Sequence, residues 1–238
     1  MTDTVVIIPT YNNAGTLADV LERTLAQGLP VIVADDGCTD STPAILDPFI
    51  AGGSVTVVRH SRNLGKGAAL KSAFKKAREL GFAYAVTIDS DGQHYPEDIP
   101  LLLAAEGENT LVVGSRRTQG IDGGSSFANR LSNNTFAAYS GVRLPDTQTG
   151  FRLYPLQDLP PLWVMSSRYE AELSLLMFSA WRGVKLVPVQ VRVNYPRDRV
   201  SHFRPVRDFL RITLLNTFFL FVAILYGYPR ILLRKILR

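Results

Sequence analysis

Two carboxylates one residue apart, Asp89 and Asp91, carry the clearest chemical signal in the sequence. They follow an apolar run over residues 82–88, which predicts a buried strand. In an open parallel sheet, ligands bind beyond the carboxyl ends of the strands. Paired carboxylates at such an edge suit Mg²⁺ or Mn²⁺ that is shared with a diphosphate. Asp-Gly and Ser-Asp sequences are also common in turns, so the pair alone leaves both interpretations open.

Polar segments also follow the three other strands predicted in the first half of the chain, over residues 9–13, 35–40 and 62–67. Tyr11 could stack on a base, and the carboxylate of Asp35 or Asp36 could accept a base N–H. Lys66, with glycine amides on either side at the start of a helix, could meet phosphate oxygens. Taken singly, each segment is more often a turn, a helix cap or a hinge. Their convergence on one sheet edge is what favours a nucleotide site.

The order of the predicted elements indicates the fold class. Short β-rich runs alternate with segments of helical periodicity, which predicts βαβ units and a mostly parallel α/β sheet flanked by helices. The glycine-lysine segment lacks the spacing of a P-loop and is not one. No Gly-x-Gly-x-x-Gly follows the first strand, which argues against a dinucleotide oxidoreductase. We predict strands over residues 4–9, 30–34, 54–59, 82–88, 110–114, 151–155 and 184–193. We predict helices over residues 14–27, 42–50, 67–80, 96–106, 127–139 and 168–181, with a mobile loop over residues 115–126.

The composition is that of a globular protein in a reducing compartment. The chain has 238 residues, of which 46% are hydrophobic and 20% charged, so it is long enough for one large domain and is not disordered. Its single cysteine, Cys38, excludes an intrachain disulfide. The first residues lack the basic start and apolar stretch of a secretory signal, so we expect a cytoplasmic location.

The last part of the chain differs from the rest in charge. Residues 197–238 carry nine Arg or Lys against two Asp, a net charge of +7, and they surround 18 uncharged residues at 212–229. Basic residues interleaved with long aliphatic and aromatic ones predict amphipathic helices that lie on an anionic membrane surface. Packing on the main domain, dimerisation into a homo-oligomer and a short membrane span are the alternatives. Nucleic-acid binding is not expected, because the charges do not form a polar patch.

The ordered motifs VIIPTYNN, VADDGCTDST, RNLGKGAALKSAF, DSDGQH, VGSRR and DTQTGFR closely resemble family 2 glycosyltransferases of the GT-A fold. The dolichyl-phosphate mannosyltransferase-like branch is the nearest group, and the resemblance covers roughly residues 4–205. It implies a GT-A-type, Rossmann-like catalytic domain over residues 1–204, followed by the basic helices at 205–238. It also implies inverting transfer of a sugar from a UDP- or GDP-sugar, with Mg²⁺ or Mn²⁺ as cofactor.

The resemblance also implies roles for individual residues. Those matching the base and ribose contacts are Pro9, Tyr11, Asn13 and, for reading the base, Asp36. The family usually has Glu at the position of Asn13, which weakens that assignment. Those matching the metal site are Asp89, Asp91 and Gln93. Arg116 and Arg130 match basic residues of the acceptor loop, and Arg199 and Ser201 match a segment that contacts the diphosphate, where Lys66 would also act.

The acceptor decides whether a base is needed. A phosphate acceptor, such as polyprenyl phosphate, is already a nucleophile and would be positioned by Arg116, Arg117 and Arg130. A hydroxyl acceptor on a glycan or glycolipid would need a general base. The candidates are Glu170, Glu172 and Asp146, each of which could equally be a solvated or turn residue.

We therefore expect a metal-dependent, inverting glycosyltransferase that serves a lipid-linked acceptor at the cytoplasmic face of the membrane. A nucleotide-binding membrane protein without catalytic activity is the alternative from another class. His94 is expected to be structural or to support the ligands, because an oxygen-rich site for Mg²⁺ or Mn²⁺ has little need of imidazole.

Overall fold

A computed structural model describes residues 3–116, 123–166, 170–194 and 216–236. Seven strands form one sheet in the order β3-β2-β1-β4-β6-β5-β7. The strands are β1 Thr4–Thr10, β2 Val31–Asp35, β3 Val55–Arg59, β4 Tyr84–Thr87, β5 Thr110–Arg116, β6 Arg152–Pro155 and β7 Lys185–Val191. β6 is antiparallel to β4 and β5, and the other neighbouring pairs are parallel. The predicted mostly parallel sheet is confirmed, with an inverted strand near its centre.

Helices cover both faces of the sheet. They are α1 Ala14–Leu25, α2 Thr42–Ala51, α3 Lys66–Glu79, α4 Ile99–Leu103, α5 Gly123–Ser140, α6 Glu170–Arg182 and α7 Asn216–Ile236. Side chains alternate along β1, so that Val6 and Ile8 pack with residues of α1, α2 and α4. Val5 and Ile7 lie on the other face, with residues of α3, α5, α6 and α7. The strands are therefore buried on both sides, as continuous apolar runs require.

Two predicted segments differ from the structure. The mobile loop predicted over residues 115–126 was wrong at both ends, since β5 pairs with β7 as far as Arg116 and α5 begins at Gly123. The residues between them lie outside the described part of the chain. The helix predicted over residues 96–106 is a 3₁₀ turn, Pro96–Asp98, followed by the five-residue α4. Pro100 has no N–H with which to bond the carbonyl of residue 96, which prevents one continuous helix there.

The C-terminal helix α7 packs along the domain that contains the sheet. Its buried residues Phe219 and Ala223 join the core that contains Trp181. Gly227 lies against the same indole, where a Cβ would come within 2.4 Å of Trp181 Nε1. Further along, the Arg234 Nη2 donates to the carbonyls of residues 180 and 181 at 3.1 and 2.8 Å. Packing on the domain, one of the alternatives left open by the sequence, therefore holds for this helix.

The opposite face of α7 is apolar and exposed. Leu225 is 79% exposed, Phe221 61% and Ile236 69%, and Leu232 and Leu233 are also exposed. The helix has 21 residues and is long and apolar enough to cross a membrane, by length and composition alone. The predicted domain boundary at residues 204 and 205 lies outside the described residues.

Candidate active site

The loop after β1 is joined to the Asp89-Ser90-Asp91 segment after β4. The Ser90 hydroxyl donates to the carbonyl of Pro9 at 3.1 Å and accepts from the Asn13 side-chain amide at 2.7 Å. The Thr16 hydroxyl donates to the carbonyl of Ser90 at 2.6 Å. Ser90 has the middle position between the two aspartates, so these bonds place Pro9 and Asn13 beside the predicted metal ligands.

The loop after β1 is also joined to the loop after β2. Asn12 has a left-handed backbone, with φ of 53°, and its side-chain oxygen accepts from the Thr39 amide at 2.8 Å. The Asp40 carboxylate accepts from the amide of Ala14 at 3.1 Å, at the start of α1. Tyr11, next to Asn12, is left 44% exposed. Its ring is therefore accessible for stacking, as the sequence predicts.

Asp36 holds the loop that leads into α3. One carboxylate oxygen accepts from the Leu64 amide at 3.0 Å and contacts His60 Nδ1 at 2.7 Å. The other accepts from the Gly65 amide at 2.7 Å. Gly65 precedes Lys66, the first residue of α3. Asp36 thus fixes the position of Lys66. Its side chain is only 3% exposed, and its role in reading a base stays a prediction.

The centre of the site is a cluster of three charged side chains, Lys66, Asp89 and Glu172. Lys66 Nζ lies 2.6 Å from Asp89 Oδ1 and 2.9 Å from Glu172 Oε2. Burial alone would lower the pKa of Lys66, but the two carboxylates outweigh it and raise that pKa. Burial would likewise raise the pKa of Asp89, but Lys66 outweighs it and the pKa is lowered. Lys66 and Asp89 are therefore both charged at neutral pH.

The Thr147-Gln148-Thr149-Gly150 motif ends in glycine because its backbone lies close to the charged cluster. A Cβ at this position would lie 2.6 Å from Asp89 Oδ2 and 2.9 Å from Lys66 Nζ. The carbonyl of Gly150 is held by the Thr87 hydroxyl at 2.6 Å. The backbone therefore passes directly against the charged pair, and a side chain at this position would force the Asp89 carboxylate and the Lys66 ammonium to move.

The predicted metal ligands lie on a tight turn. Gly92 has φ of 72°, and the Gln93 amide donates to Asp91 Oδ1 at 3.0 Å. The Asp89 side chain keeps 27% of its surface exposed, so a cation can reach it. Among the described residues, no group of three His, Cys, Asp or Glu side chains can hold a metal ion. Two carboxylates and an amide oxygen fit Mg²⁺ or Mn²⁺ whose shell is completed by a diphosphate, as opposed to a cage made of protein alone.

The three candidate general bases have different contacts in the structure. Asp146 is buried, and it accepts from Arg116 Nη2 at 3.0 Å and from the Gln148 amide at 3.0 Å. Arg116 and Asp146, which the sequence assigns to different roles, are therefore paired. Glu170 and Glu172 are two residues apart on α6, about 200° around the helix. The structure brings Glu172 to Lys66, whereas the carbonyl of Glu170 accepts from the Ser174 hydroxyl on the same helix.

His94 is buried behind the turn that carries the predicted metal ligands. Its Nε2 lies 3.5 Å from the Thr149 hydroxyl, and its ring centroid lies 5.2 Å from that of Phe151. Burial lowers the pKa of His94 to about 4, although the nearby Asp89 acts in the opposite direction. The imidazole is therefore neutral at pH 7 and packs within the fold.

Arg152 is a site residue to which the sequence analysis gave no role. It is fully buried, and it donates to the carbonyl of Thr147 at 2.9 Å and to that of Glu172 at 2.8 Å. It therefore ties the glycine motif to α6. A charged residue at the start of the apolar strand β6 was the signal available in the sequence. Arg130 is exposed on α5. Arg117, Arg199 and Ser201 lie outside the described residues.

The sequence is similar to those of known glycosyltransferases. A family model described as Glycosyl transferase family 2 matches residues 5–157. An undecaprenyl-phosphate mannosyltransferase from Micrococcus luteus is 30% identical over 201 residues, covering 78% of this chain and 81% of that protein. A UDP-N-acetylglucosamine–dolichyl-phosphate N-acetylglucosaminyltransferase from Methanococcus voltae is 28% identical over 217 residues, covering 79% of this chain and 84% of that protein.

Solved structures agree on the fold. Glucosyl-3-phosphoglycerate synthase from Mycobacterium tuberculosis, in complex with Mn²⁺, UDP and phosphoglyceric acid, superposes with a TM-score of 0.65. It is 22% identical, and the match covers 92% of this chain and 78% of that chain. The same synthase with Mg²⁺ and UDP gives a TM-score of 0.62 at 21% identity, with coverage of 92% and 78%. The predicted GT-A-type fold is confirmed.

Proposed function

Because this chain belongs to glycosyltransferase family 2, we propose that it transfers a sugar from a nucleoside-diphosphate sugar to a lipid-linked phosphate. The Lys66–Asp89 pair at the carboxyl edge of the sheet is the observation that supports a nucleoside-diphosphate sugar as the donor. The names of the two relatives support the acceptor half, since both specify a polyprenyl or dolichyl phosphate. UDP- and GDP-sugars are the proposed donors.

The donor would lie across the joined strand-end loops. Tyr11 would stack on the base, next to Pro9 and Asn13, and Asp36 would read its edge. Asp89, Asp91 and Gln93 would hold Mg²⁺ or Mn²⁺, which acts as a Lewis acid for the departing diphosphate. Lys66 would bond a phosphate oxygen, because its two carboxylate contacts leave one of its three N–H groups for the ligand. Arg199 and Ser201 complete the proposed diphosphate site.

The transfer would be a single displacement with inversion. An acceptor phosphate oxygen forms a bond to the anomeric carbon while the bond from that carbon to the diphosphate oxygen breaks. The electron pair of that bond would leave with the nucleoside diphosphate. Lys66 would stabilise the charge there, and a cation held by Asp89 and Asp91 would supply further electrostatic stabilisation. Arg116 and Arg130 would orient the acceptor phosphate. No proton has to be removed from such an acceptor, so this reaction does not need Asp146, Glu170 or Glu172 as a base.

We propose that the exposed face of α7 lies on the anionic inner surface of the membrane. Contacts with the domain extend from Phe219 to Arg234, about 22 Å of helix at 1.5 Å per residue. A helix held against a protein surface over that length presents only its outer face to lipid, which favours lying on the membrane over crossing it. Arg230 and Lys235 are exposed on this helix and supply positive charge for acidic headgroups.

One experiment tests the reaction. Full-length protein is incubated with Mn²⁺ and a panel of UDP- and GDP-sugars, with and without polyprenyl phosphate. We expect a glycosylated lipid from at least one donor, and none after Asp91→Ala. Product formed at full rate by Asp91→Ala would refute the metal assignment.

The alternatives give different results in the same experiment. Transfer to a glycan or glycolipid hydroxyl and none to the lipid phosphate would refute the proposed acceptor. In that case Glu170→Gln or Asp146→Asn should lower the rate by about 100-fold or more, since a general base would be needed. Tight nucleotide binding without transfer from any donor would favour a non-catalytic protein.

A further inference from the structure

Glu172 has a position that the proposed reaction does not explain. It is 8% exposed, and one of its oxygens contacts Lys66 at 2.9 Å. The other oxygen, Oε1, is buried without a hydrogen-bond partner. A buried carboxylate is costly unless a charge compensates it, so the contact with Lys66 is what keeps this group in place.

Lys66 shares Asp89 with the proposed metal ion. Nζ lies 2.6 Å from Asp89 Oδ1, and a divalent cation bound by this carboxylate would lie within a few ångströms of the ammonium. Two like charges at that separation repel each other. The ammonium also neutralises part of the negative charge that attracts the cation. Lys66 is therefore expected to weaken the binding of a metal at Asp89.

Glu172 contacts the Lys66 ammonium on the side away from Asp89 and thereby affects how strongly Lys66 opposes the cation. It draws Lys66 toward α6, and Gly150 leaves room for the group to sit between the two carboxylates. Without the Glu172 charge, the ammonium would depend on Asp89 alone. It would then neutralise Asp89 more completely.

We propose that Glu172 is a positioning residue that sets metal affinity through Lys66: Lys66 opposes the divalent cation at Asp89, and Glu172 relieves that opposition. This inference rests on the metal site of the proposed function. It predicts effects of opposite sign for two neighbouring residues, which a merely structural role of the cluster would not produce.

The test measures binding of Mn²⁺ alone to full-length protein, by calorimetry and by the electron paramagnetic resonance signal of free Mn²⁺. Lys66→Met should bind Mn²⁺ about ten-fold more tightly, because a competing positive charge is removed. The same variant should bind nucleoside diphosphate more weakly, because a phosphate contact is lost. Lys66→Arg keeps the charge and should stay within about three-fold of the unmodified protein.

Glu172→Gln should bind Mn²⁺ about ten-fold more weakly in the unmodified background and less than about three-fold more weakly in the Lys66→Met background. Glu79→Gln is the control, because it removes the same charge at the far end of α3 from Lys66. It should leave Mn²⁺ affinity unchanged. Thermal unfolding of each variant shows that the protein is folded.

The following outcomes would contradict the proposed effect of Glu172 and Lys66 on metal affinity. If Lys66→Met binds Mn²⁺ no more tightly, or if Glu172→Gln has the same effect in both backgrounds, the inference is wrong while the metal site stands. If the unmodified protein binds no Mn²⁺ either alone or with saturating nucleoside diphosphate, the inference and the proposed metal site fail together. If Lys66→Met does not fold, Glu172→Gln still decides, since an unchanged Mn²⁺ affinity in that variant overturns the proposal.

Discussion

Gly150→Ala changes the charged cluster by a single methyl group. The added Cβ would lie 2.6 Å from Asp89 Oδ2, whereas ordinary contact begins at 3.4 Å. The backbone at this point is held by the hydrogen bond from Thr87, so the Asp89 carboxylate must move, by about 0.8 Å. Misplacement of a reacting group by about 1 Å can cost about 100-fold in rate.

We therefore expect kcat for sugar transfer to fall by about ten- to 100-fold in Gly150→Ala, which corresponds to about 1.4–2.7 kcal/mol of transition-state stabilisation. The assay is the initial rate with saturating donor and Mn²⁺. Gly15→Ala is the matched control, because a Cβ there meets nothing within 4 Å. Unchanged kcat in Gly150→Ala would show that the close approach of the backbone to Asp89 has no bearing on catalysis.

Two further predictions concern α7 and His94. Gly227→Leu should lower the unfolding temperature by several degrees, since its Cβ would overlap Trp181 Nε1. Leu225→Ser should leave the unfolding temperature unchanged, because Leu225 is exposed, and should reduce the fraction of protein that sediments with vesicles of acidic lipid. Equal effects of the two variants on both measurements would contradict the assignment of a packed face and a lipid face. Because burial lowers the pKa of His94 to about 4, the unfolded chain takes up the proton first as pH falls below about 6.5. Denaturant titrations should therefore show stability being lost between pH 6.5 and 4, by about 3 kcal/mol more than in His94→Asn.

The positions of the site loops could be predicted from the sequence because they follow from strand direction. Continuous apolar runs separated by helices fix parallel strands, and their carboxyl ends must share one edge. The structure accordingly joins Asn13 to Ser90 and brings Lys66 to Asp89. The glycine in the DTQTGFR motif, quoted only as part of a resemblance, proves to have a steric reason in the contact with Asp89.

Contacts between distant elements could not be predicted in the same way. Nothing in the local pattern distinguishes Glu170 from Glu172, because the choice depends on how α6 is rotated against α3. The pairing of Arg116 with Asp146 depends on β6 entering the sheet between β4 and β5 in the opposite direction. Helical periodicity likewise shows that the tail is amphipathic, but does not show which face packs on Trp181.

Helix α6 connects the two surfaces to which we assign functions, the candidate active site and the exposed face of α7. Near its start, Glu172 contacts Lys66 in the candidate active site. Near its end, Trp181 packs against Gly227 of α7. Nine residues separate these points, about 14 Å along a rigid helix. If α7 lies on the membrane, the orientation of α6 fixes how far the reacting carbon stands from the lipid headgroups. Under the proposed function, a lipid-linked phosphate would stay at the headgroup level, so this spacing would determine whether it can reach the site without extraction of the lipid tail.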